Sequence, residues 1–464
     1  MIAGLHIAPR KNKPGLIAGM ILTLALTALG CARPPQPAIS SPAVLVASGK
    51  ADEAFLLDFE RRCFTYFWEQ ANPDNGLVAD RARVDGSPSG KASSIAAIGF
   101  GLSAICVADH HGWVDHDTAC RRVLVTLRFL NDTMPNEHGF FYHFVDMNSG
   151  QRMWKCEVSS IDTALLMAGV LTAREYFGDD PRQREIANLA TRIYERVDWP
   201  WMLDGGKTLA MGWRPEKGFT ANHWDEFNEH AILDLLGMGS ATHPLPAGCW
   251  QAWRRGPMVT YAGYTFMQCP PLFTHQFPHA WINFLGRRDR WGNYWQNSVD
   301  ATLAHRRFCI NLAAQSPEKF GEYGEQLWGI TASDSSTGYR GWGGPPTKGE
   351  IDPSLDGTVV PCAAAGSLPF APAECLATLR HMHDAYGKQI WGRYGFVDAF
   401  NPRTGWVGPD VIGIDVGISL LMAENCRTGL VWRWFMRGAE IRRALKAAGF
   451  QPGARAGWAV DDAA

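Results

Sequence analysis

Residues 139–169, GFFYHFVDMNSGQRMWKCEVSSIDTALLMAG, carry the reading of the whole chain. Two acids, Glu157 and Asp162, stand among aromatic and hydroxyl residues, and the segment then runs directly into an apolar pattern from Ile161 to Val170. Ile161, Leu165, Leu166 and Val170 recur at helical spacing, and Ser159 or Ser160 is placed to cap the helix that they predict. Asp162 then falls in the first turn, where the partial positive charge of a helix end favours a carboxylate. That alone would account for it, just as a solvated loop would account for Glu157. Taken together, the two acids at a helix mouth lined with aromatic residues mark a working cleft.

Outward from this stretch, helical patterns fill the chain from Asp52 onward. Apolar positions spaced by three and four predict helices over 52–71, 93–110, 116–132, 160–177, 181–198, 228–238, 276–286, 293–313, 371–386, 414–425 and 430–448. Period-two signals are few, at Phe140 to Asp146 and near Gly76 to Asp80. No low-complexity linker interrupts the pattern, so 51–464 reads as one large domain.

The amino terminus has a different character. Arg10, Lys11 and Lys13 precede an apolar run from Leu16 to Leu29 that is too short for a comfortable membrane span, and Ala28-Leu29-Gly30-Cys31 closes it. This reads as a signal peptide over 1–31, with Cys31 at the lipidation position of a bacterial lipoprotein box, and Ala28 where leucine is usual. Residues 32–50, rich in Pro, Ala and Ser, read as a flexible tether. The chain is thus expected to be exported, periplasmic or anchored at the outer membrane, and to meet the membrane only through a lipid.

A formal net charge of -2 over 464 residues gives no electrostatic reason to expect nucleic acid as a partner. The ten cysteines after Cys31 form no CxxC pair and no zinc-like spacing with histidine, so no structural metal is expected. Cys156, beside Glu157, has no evident activating partner and reads as packing. His275 and His279 are spaced i, i+4, but no third ligand accompanies them. No GxSxG, P-loop or dinucleotide fingerprint occurs, which argues against Ser-His-Asp hydrolases and nucleotide cofactors.

The loops hold the unusual residues. Nineteen tryptophans occur in the chain, and Trp213, Trp224, Trp250, Trp253, Trp281, Trp328, Trp342 and Trp406 lie at or near helix ends in Gly-rich polar segments. As a set they are expected to be platforms on which the apolar face of a sugar stacks while nearby acids and amides bond its hydroxyls. A second acidic centre, WDEFNEH from Trp224 to His230, places Glu229 at the start of another apolar helix, as Asp162 is placed on the first. Asp334, Asp398 and Asp415 stand in further clusters, each with an ordinary alternative as a cap or turn residue.

These segments, taken in order, resemble a known family. FTYFWEQANPDNGLVADR, SSIAAIGFGLSA, GFFYHF, EVSSIDTALLMAG, MGW, FNE, GSATHP, THQFPHAW, WGITASD, DGTVVPCAAAGSLPFAPAE, WGRYGFVDAFN and IDVGISLLMAEN are similar to the glucoamylase-like domain family, which includes glycoside hydrolase family 144, the endo-β-1,2-glucanases. The resemblance runs from about Asp52 to Phe450. It implies an all-α fold, an (α/α)6 toroid with long loops and a few short strands at the cleft. It also implies hydrolysis of a β-1,2-linked glucan without a cofactor, by a chain expected to be monomeric. His230, Asp234, Pro278 and Val416 depart from the family pattern; the last two fall in expected substrate loops.

Glycoside hydrolysis needs one carboxylic acid to protonate the leaving oxygen and a second carboxylate to activate water or attack directly. Glu157 and Glu229 are the expected pair, with Asp162 in reserve and inversion as the expected course. Asp80, Arg81, His143, Trp213, His279, Trp281, Asp334, Trp342, Asp398 and Asp415 are expected to touch substrate or support the residues that do. Two alternatives remain open at this point: a glycan-binding surface lipoprotein without activity, and a retaining β-1,2-glucan transglycosylase.

Overall fold

Glycine at a helix crossing sets the geometry of the interior. The computed structural model describes residues 49–178, 180, 183–346 and 350–452. Cys31, the leader and nearly all of the tether lie outside the described residues. Within them the main helices are α1 (Lys50–Glu69), α2 (Ile95–His110), α3 (His116–Asp132), α4 (Ser160–Phe177), α5 (Arg184–Glu195), α6 (Ala231–Gly239), α7 (Tyr294–Gln315), α8 (Pro372–Ile390), α9 (Gly413–Arg427), α10 (Leu430–Phe435) and α11 (Ala439–Ala447). Strands are short and mostly paired two by two. They include β1 (Arg81–Arg83), β2 (Ala92–Ser94), β3 (Phe144–Asp146), β4 (Val158–Ser159), β5 (Gly212–Arg214) and β6 (Asp410–Ile412).

The helices fall into two kinds. In α2 every residue from Ile95 to Ala108 is buried, and α4, α6 and α9 are buried almost all round. Their sequences carry apolar or small residues on every face, as interior helices must. By contrast α3, α5 and α11 bury one stripe and present charge on the other face. Each of these packs its stripe on an interior helix or a neighbour: α3 on α2 and α5, α5 on α4, and α11 on α6.

Interior helices approach so closely that only glycine fits. A Cβ on Gly169 would lie 2.0 Å from the carbonyl oxygen of Gly99, and one on Gly99 would lie 2.2 Å from that of Leu165. Gly417 of α9 likewise leaves room for the Phe100 ring of α2. Contacts continue from α4 to α6, and from α9 to both α2 and α1. Asn425 of α9 donates to the Ala280 carbonyl at 2.8 Å, and Gln276 donates to the Ala363 carbonyl and to Ser367.

A buried ion network fastens α1 to α9. Arg427 bonds Glu53 (2.6 Å), Glu60 (2.7 Å) and Glu424 (3.2 Å), and Glu424 also faces His111 at 2.9 Å. Burial, reinforced by the Glu424 charge, pushes Glu60 well above the usual carboxylate range. Burial also opposes the charge on Glu424, but bonds to His111, Glu60 and Thr428 outweigh it and hold that group at about 2. These three acids and His111 gather around an arginine, which supplies the compensating charge.

Several predicted elements shift. Helices over 116–132 and 160–177 appear with those bounds, while 181–198 shortens to α5. The helix predicted over 276–286 is replaced by two 3-10 turns, Leu272–His275 and Phe277–Ala280, with Pro278 in the first turn of the second, and the chain then turns away where the Asn283 side chain accepts from the Leu285 N–H at 2.9 Å. The helix over 430–448 breaks into α10 and α11 at Gly438, which takes an extended conformation and lets Glu440 dock on Gly239. The strand predicted over Phe140 to Asp146 is two pieces, and Gly76 to Asp80 forms only isolated bridges. Among the described residues no helix is long and apolar enough to cross a membrane.

Gly169→Ala is expected to lose at least about 2–3 kcal/mol of stability, because a rigid backbone must move to admit one methyl. Arg427→Met is expected to cost about 3–5 kcal/mol by leaving buried carboxylates without their cation. Urea denaturation followed by circular dichroism checks both.

Candidate active site

Four interior helices direct their amino-terminal ends toward one group of charged side chains. Strand β2 leads into α2, β4 into α4, and β6 into α9, so each of these helices begins at an extended residue. Ser94 and Ser159 accept from the backbone N–H three residues on, at 3.5 and 3.3 Å. Ser159 also donates its hydroxyl to Asp162 at 2.5 Å, so the cap falls on the first of the two serines that the sequence offers for it.

His143 sits where the strands leading into α2 and α4 meet. Its backbone N–H bonds the Glu157 carbonyl and its own carbonyl accepts from Ile95 N–H. One ring nitrogen, Nδ1, lies 3.1 Å from Glu157, and the other, Nε2, lies 3.5 Å from Asp162. Burial alone would lower the imidazole pKa, but the Asp162 and Glu157 charges outweigh it and raise it, so that the ring holds its proton more tightly than a free histidine. Glu157, Asp162 and the His143 ring therefore form one unit.

Glu157 is pinned on its other side by Arg214, 2.6 Å away on β5. Burial opposes its charge, yet the bonds and charges of His143 and Arg214 hold its pKa down at about 2. Gly212 makes the approach possible: a Cβ there would stand 2.7 Å from Cγ of Glu157. The sequence segment MGWR thus contributes Gly212 and Arg214 to the site, although sequence reasoning singles out only Trp213 from it.

Glu229 stands just before the start of α6. Its backbone N–H donates to the Asn228 side chain at 2.8 Å, and its carboxyl group has no protein partner among the described residues. Burial, and then the charge of Asp162, raise its pKa from 4.5 to about 8, against a small opposing effect of His143. The site therefore combines a carboxyl group, Glu229, that is neutral at pH 7 with one, Glu157, that remains ionised. Opposite behaviour in neighbouring acids is the electrostatic mark of an acid and base pair.

A second acidic group adjoins the first through Asp80, whose charge reaches His143. Arg81 bonds Asp80 (3.3 Å) and Asp334 (2.9 Å), and Asp410 on β6 approaches both Arg81 and Arg83. The Asp334 N–H donates to Asp398 at 2.7 Å, and the Cys362 thiol donates to Asp415 at 3.4 Å. Burial, with mutual repulsion, pushes Asp398 well up, and burial brings Asp415 to about 6. Asp80, Arg81, Asp334, Asp398 and Asp415 are thus together, and Asp410, which the sequence did not mark, joins them.

Other expected contacts are not cleft groups. His279 is buried against Phe284, Trp295 and Phe370, with Nε2 3.1 Å from Ser298, and Trp281 is sealed against Phe100 with its N–H on Ser103. Trp342 is buried with its N–H on Ser333. These three hold the scaffold. Of the loop tryptophans, Trp224, Trp250, Trp253, Trp281, Trp328 and Trp342 are all core, while Trp213 and Trp406 are half-buried. Pro278 and Val416 are buried as well, so those two departures lie away from any exposed loop.

Comparison with known proteins fits this arrangement. Residues 221–439 match the Glycoamylase family model, a glucoamylase family. Over these residues the chain is similar to that family. Over 430 residues it is 27% identical to the exo β-1,2-glucooligosaccharide sophorohydrolase (non-reducing end) of Parabacteroides distasonis, an alignment covering 85% of this chain. It spans 58% of the length of that relative. An endo-β-1,2-glucanase from Chitinophaga pinensis, solved with sophorotriose and glucose, superposes with a TM-score of 0.78 at 26% identity, covering 86% of this chain and 98% of that one. A β-1,2-glucanase structure from Parabacteroides distasonis gives 0.78 at 25% identity, with 86% and 60% covered.

The raised pKa of Glu229 has a thermodynamic sign. Between pH 4.5 and about 8 the folded protein keeps a proton that the unfolded chain releases, so this group's contribution to stability falls as pH rises through that window. Glu229→Gln is expected to gain on the parent as pH rises from 4.5 to 8, by about 1–3 kcal/mol at the upper end after allowance for solvent screening. Denaturation curves at several pH values check the slope.

Proposed function

We propose that this protein is a glycoside hydrolase acting on linear β-1,2-glucan or its oligosaccharides, with Glu229 as the general acid. The observation that carries the reading is the Glu229 carboxyl, raised to about 8 by burial and by Asp162, in one site with the Glu157 carboxylate. A protonated group is needed at the leaving oxygen and an ionised one where water is activated. The relatives named above, a sophorohydrolase and two β-1,2-glucanases, supply the linkage.

Of the two acids on His143, Asp162 suits the base better than Glu157. Glu157 has one oxygen on His143 and the other on Arg214, and a carboxylate held at about 2 is a poor proton acceptor. Asp162 engages Ser159 and His143 through Oδ2 alone. Its other oxygen can take a proton from water as that water attacks the anomeric carbon, while Glu229 gives its proton to the departing sugar. The product then has inverted configuration, and Glu157 serves to hold the His143 ring in place. The acidic group around Arg81 binds sugar hydroxyls along the same cleft.

The helix pattern supports the (α/α)6 architecture for this chain. Six interior segments, α2, α4, α6, 272–280, 361–365 and α9, follow one another in sequence, and α9 returns to pack on α2. Export with lipidation at Cys31 is part of the same proposal, resting on the leader alone.

Reducing-sugar release from linear β-1,2-glucan, compared with β-1,3-, β-1,4- and α-glucans, tests the activity. Binding without release would mean a glycan-binding protein, and longer or cyclic products would mean a transglycosylase. Glu229→Gln and Asp162→Asn are each expected to lower kcat by about 10²–10⁴-fold, whereas Glu157→Gln loses less and moves the pH profile. In the parent, kcat/KM should fall above about pH 8 as Glu229 ionises. NMR of the first-formed anomer reads the stereochemical course.

A further inference from the structure

Trp154 is 64% exposed, the largest exposure among the big apolar side chains of the described residues. The tryptophans expected in the cleft are mostly core, so this one stands apart. It lies three residues before Glu157, in the turn that joins β3 to β4.

The turn is built to hold it outward. Trp154 and Lys155 both take left-handed backbone angles, with φ of 52° and 51°, a conformation that bulky L-residues rarely adopt. Arg152 fixes it there by donating to the Cys156 carbonyl (2.6 Å) and the Lys155 carbonyl (2.7 Å). The same guanidinium pairs with Glu216 at 2.7 Å and lies over the Tyr142 ring at 5.0 Å. A loop so constrained leaves the indole little freedom to lose on binding.

The indole also connects to the charged centre. Its ring lies 5.3 Å from Phe144, and Phe144 stacks on His143 at 3.9 Å with a 17° angle between planes. Trp154 is therefore two ring contacts from the imidazole that bridges Glu157 and Asp162. Among the described residues, nothing covers most of its surface.

We propose that Trp154 is a stacking platform for a pyranose ring of the glucan at an outer subsite, beyond the sugars joined by the scissile bond. This rests on the glucan-hydrolase reading above. An indole presents an apolar face to the C–H face of a glucosyl unit, and aromatic contacts of this kind favour chains long enough to reach it. Substrate length is then selected by the same loop that carries Glu157.

Initial rates on size-fractionated linear glucan and on the shortest oligosaccharide that the parent cleaves test this, for the parent, Trp154→Ala and Trp154→Phe. Trp154→Ala is expected to lower kcat/KM about tenfold on long chains, mostly through KM, and about twofold or less on the shortest. Trp154→Phe should recover most of the loss, and the melting temperature should stay within about 2 °C because the side chain is exposed. Equal losses at both lengths, or none at either, would overturn the proposal. The series is run on whichever linear glucan the parent cleaves, so a wrong linkage corrects the substrate assignment alone. If none is cleaved, the same length series is titrated by calorimetry, and equal affinities of the parent and Trp154→Ala for long chains would overturn it.

Discussion

The backbone contact between Gly99 and Gly169 governs the rest of the structure. With no side chain at either position, α2 and α4 meet carbonyl to Cα, and their amino-terminal ends are brought side by side. Strands β2 and β4 extend from those ends, and between them lies His143, its backbone hydrogen-bonded to Ile95 at the head of α2 and to Glu157 just ahead of β4. A larger residue at the crossing would part the two helices and with them Asp162 from the histidine. Scaffold and chemistry thus share one steric condition, and the apolar interior supplies the force that maintains it.

Electrostatics then divides labour among similar residues. Helix ends attract carboxylates, and Asp162 and Asp415 accordingly stand in first turns. Crowding acids in one region would be unfavourable unless cations or protons accompanied them. Arg214 and His143 compensate Glu157, Arg81 compensates Asp80 and Asp334, and Glu229 is left to hold a proton instead. The distinct state of Glu229 arises because, among the described residues, no cation is bonded to it.

How much of this could be read from sequence depended on the kind of signal. Periodicity located α3 and α4 with their observed bounds, and the serine cap with Asp162 in its first turn was legible because capping is local chemistry. Periodicity failed at 276–286, where tertiary bonds of Gln276 and the local turn at Asn283 outweigh the apolar repeat. It also failed at Gly438, where close docking on α6 breaks a pattern that is continuous in sequence. Tryptophans were the larger misreading. A Gly-rich flank shows that the backbone turns, but not whether the indole points inward; Trp250, Trp281 and Trp328 are fully enclosed, whereas Trp154, in a turn with no such flank, stands in water. Arg214 and Asp410 escaped notice because their roles come from pairing across strands, with residues far away in the chain.

The thiols have a bearing on how this protein leaves its native state. The ten cysteines among the described residues are thiols, and nine of them are buried. Folded, they are shielded from oxidants, and burial also keeps those such as Cys309 and Cys269 protonated, pushed up to about 12. Once the chain opens, ten sulfhydryls reach solvent together and are able to cross-link within and between molecules. Heating in air would then trap the opened form, so that endurance is set by the rate of opening and not by an equilibrium, while a reductant would restore reversibility.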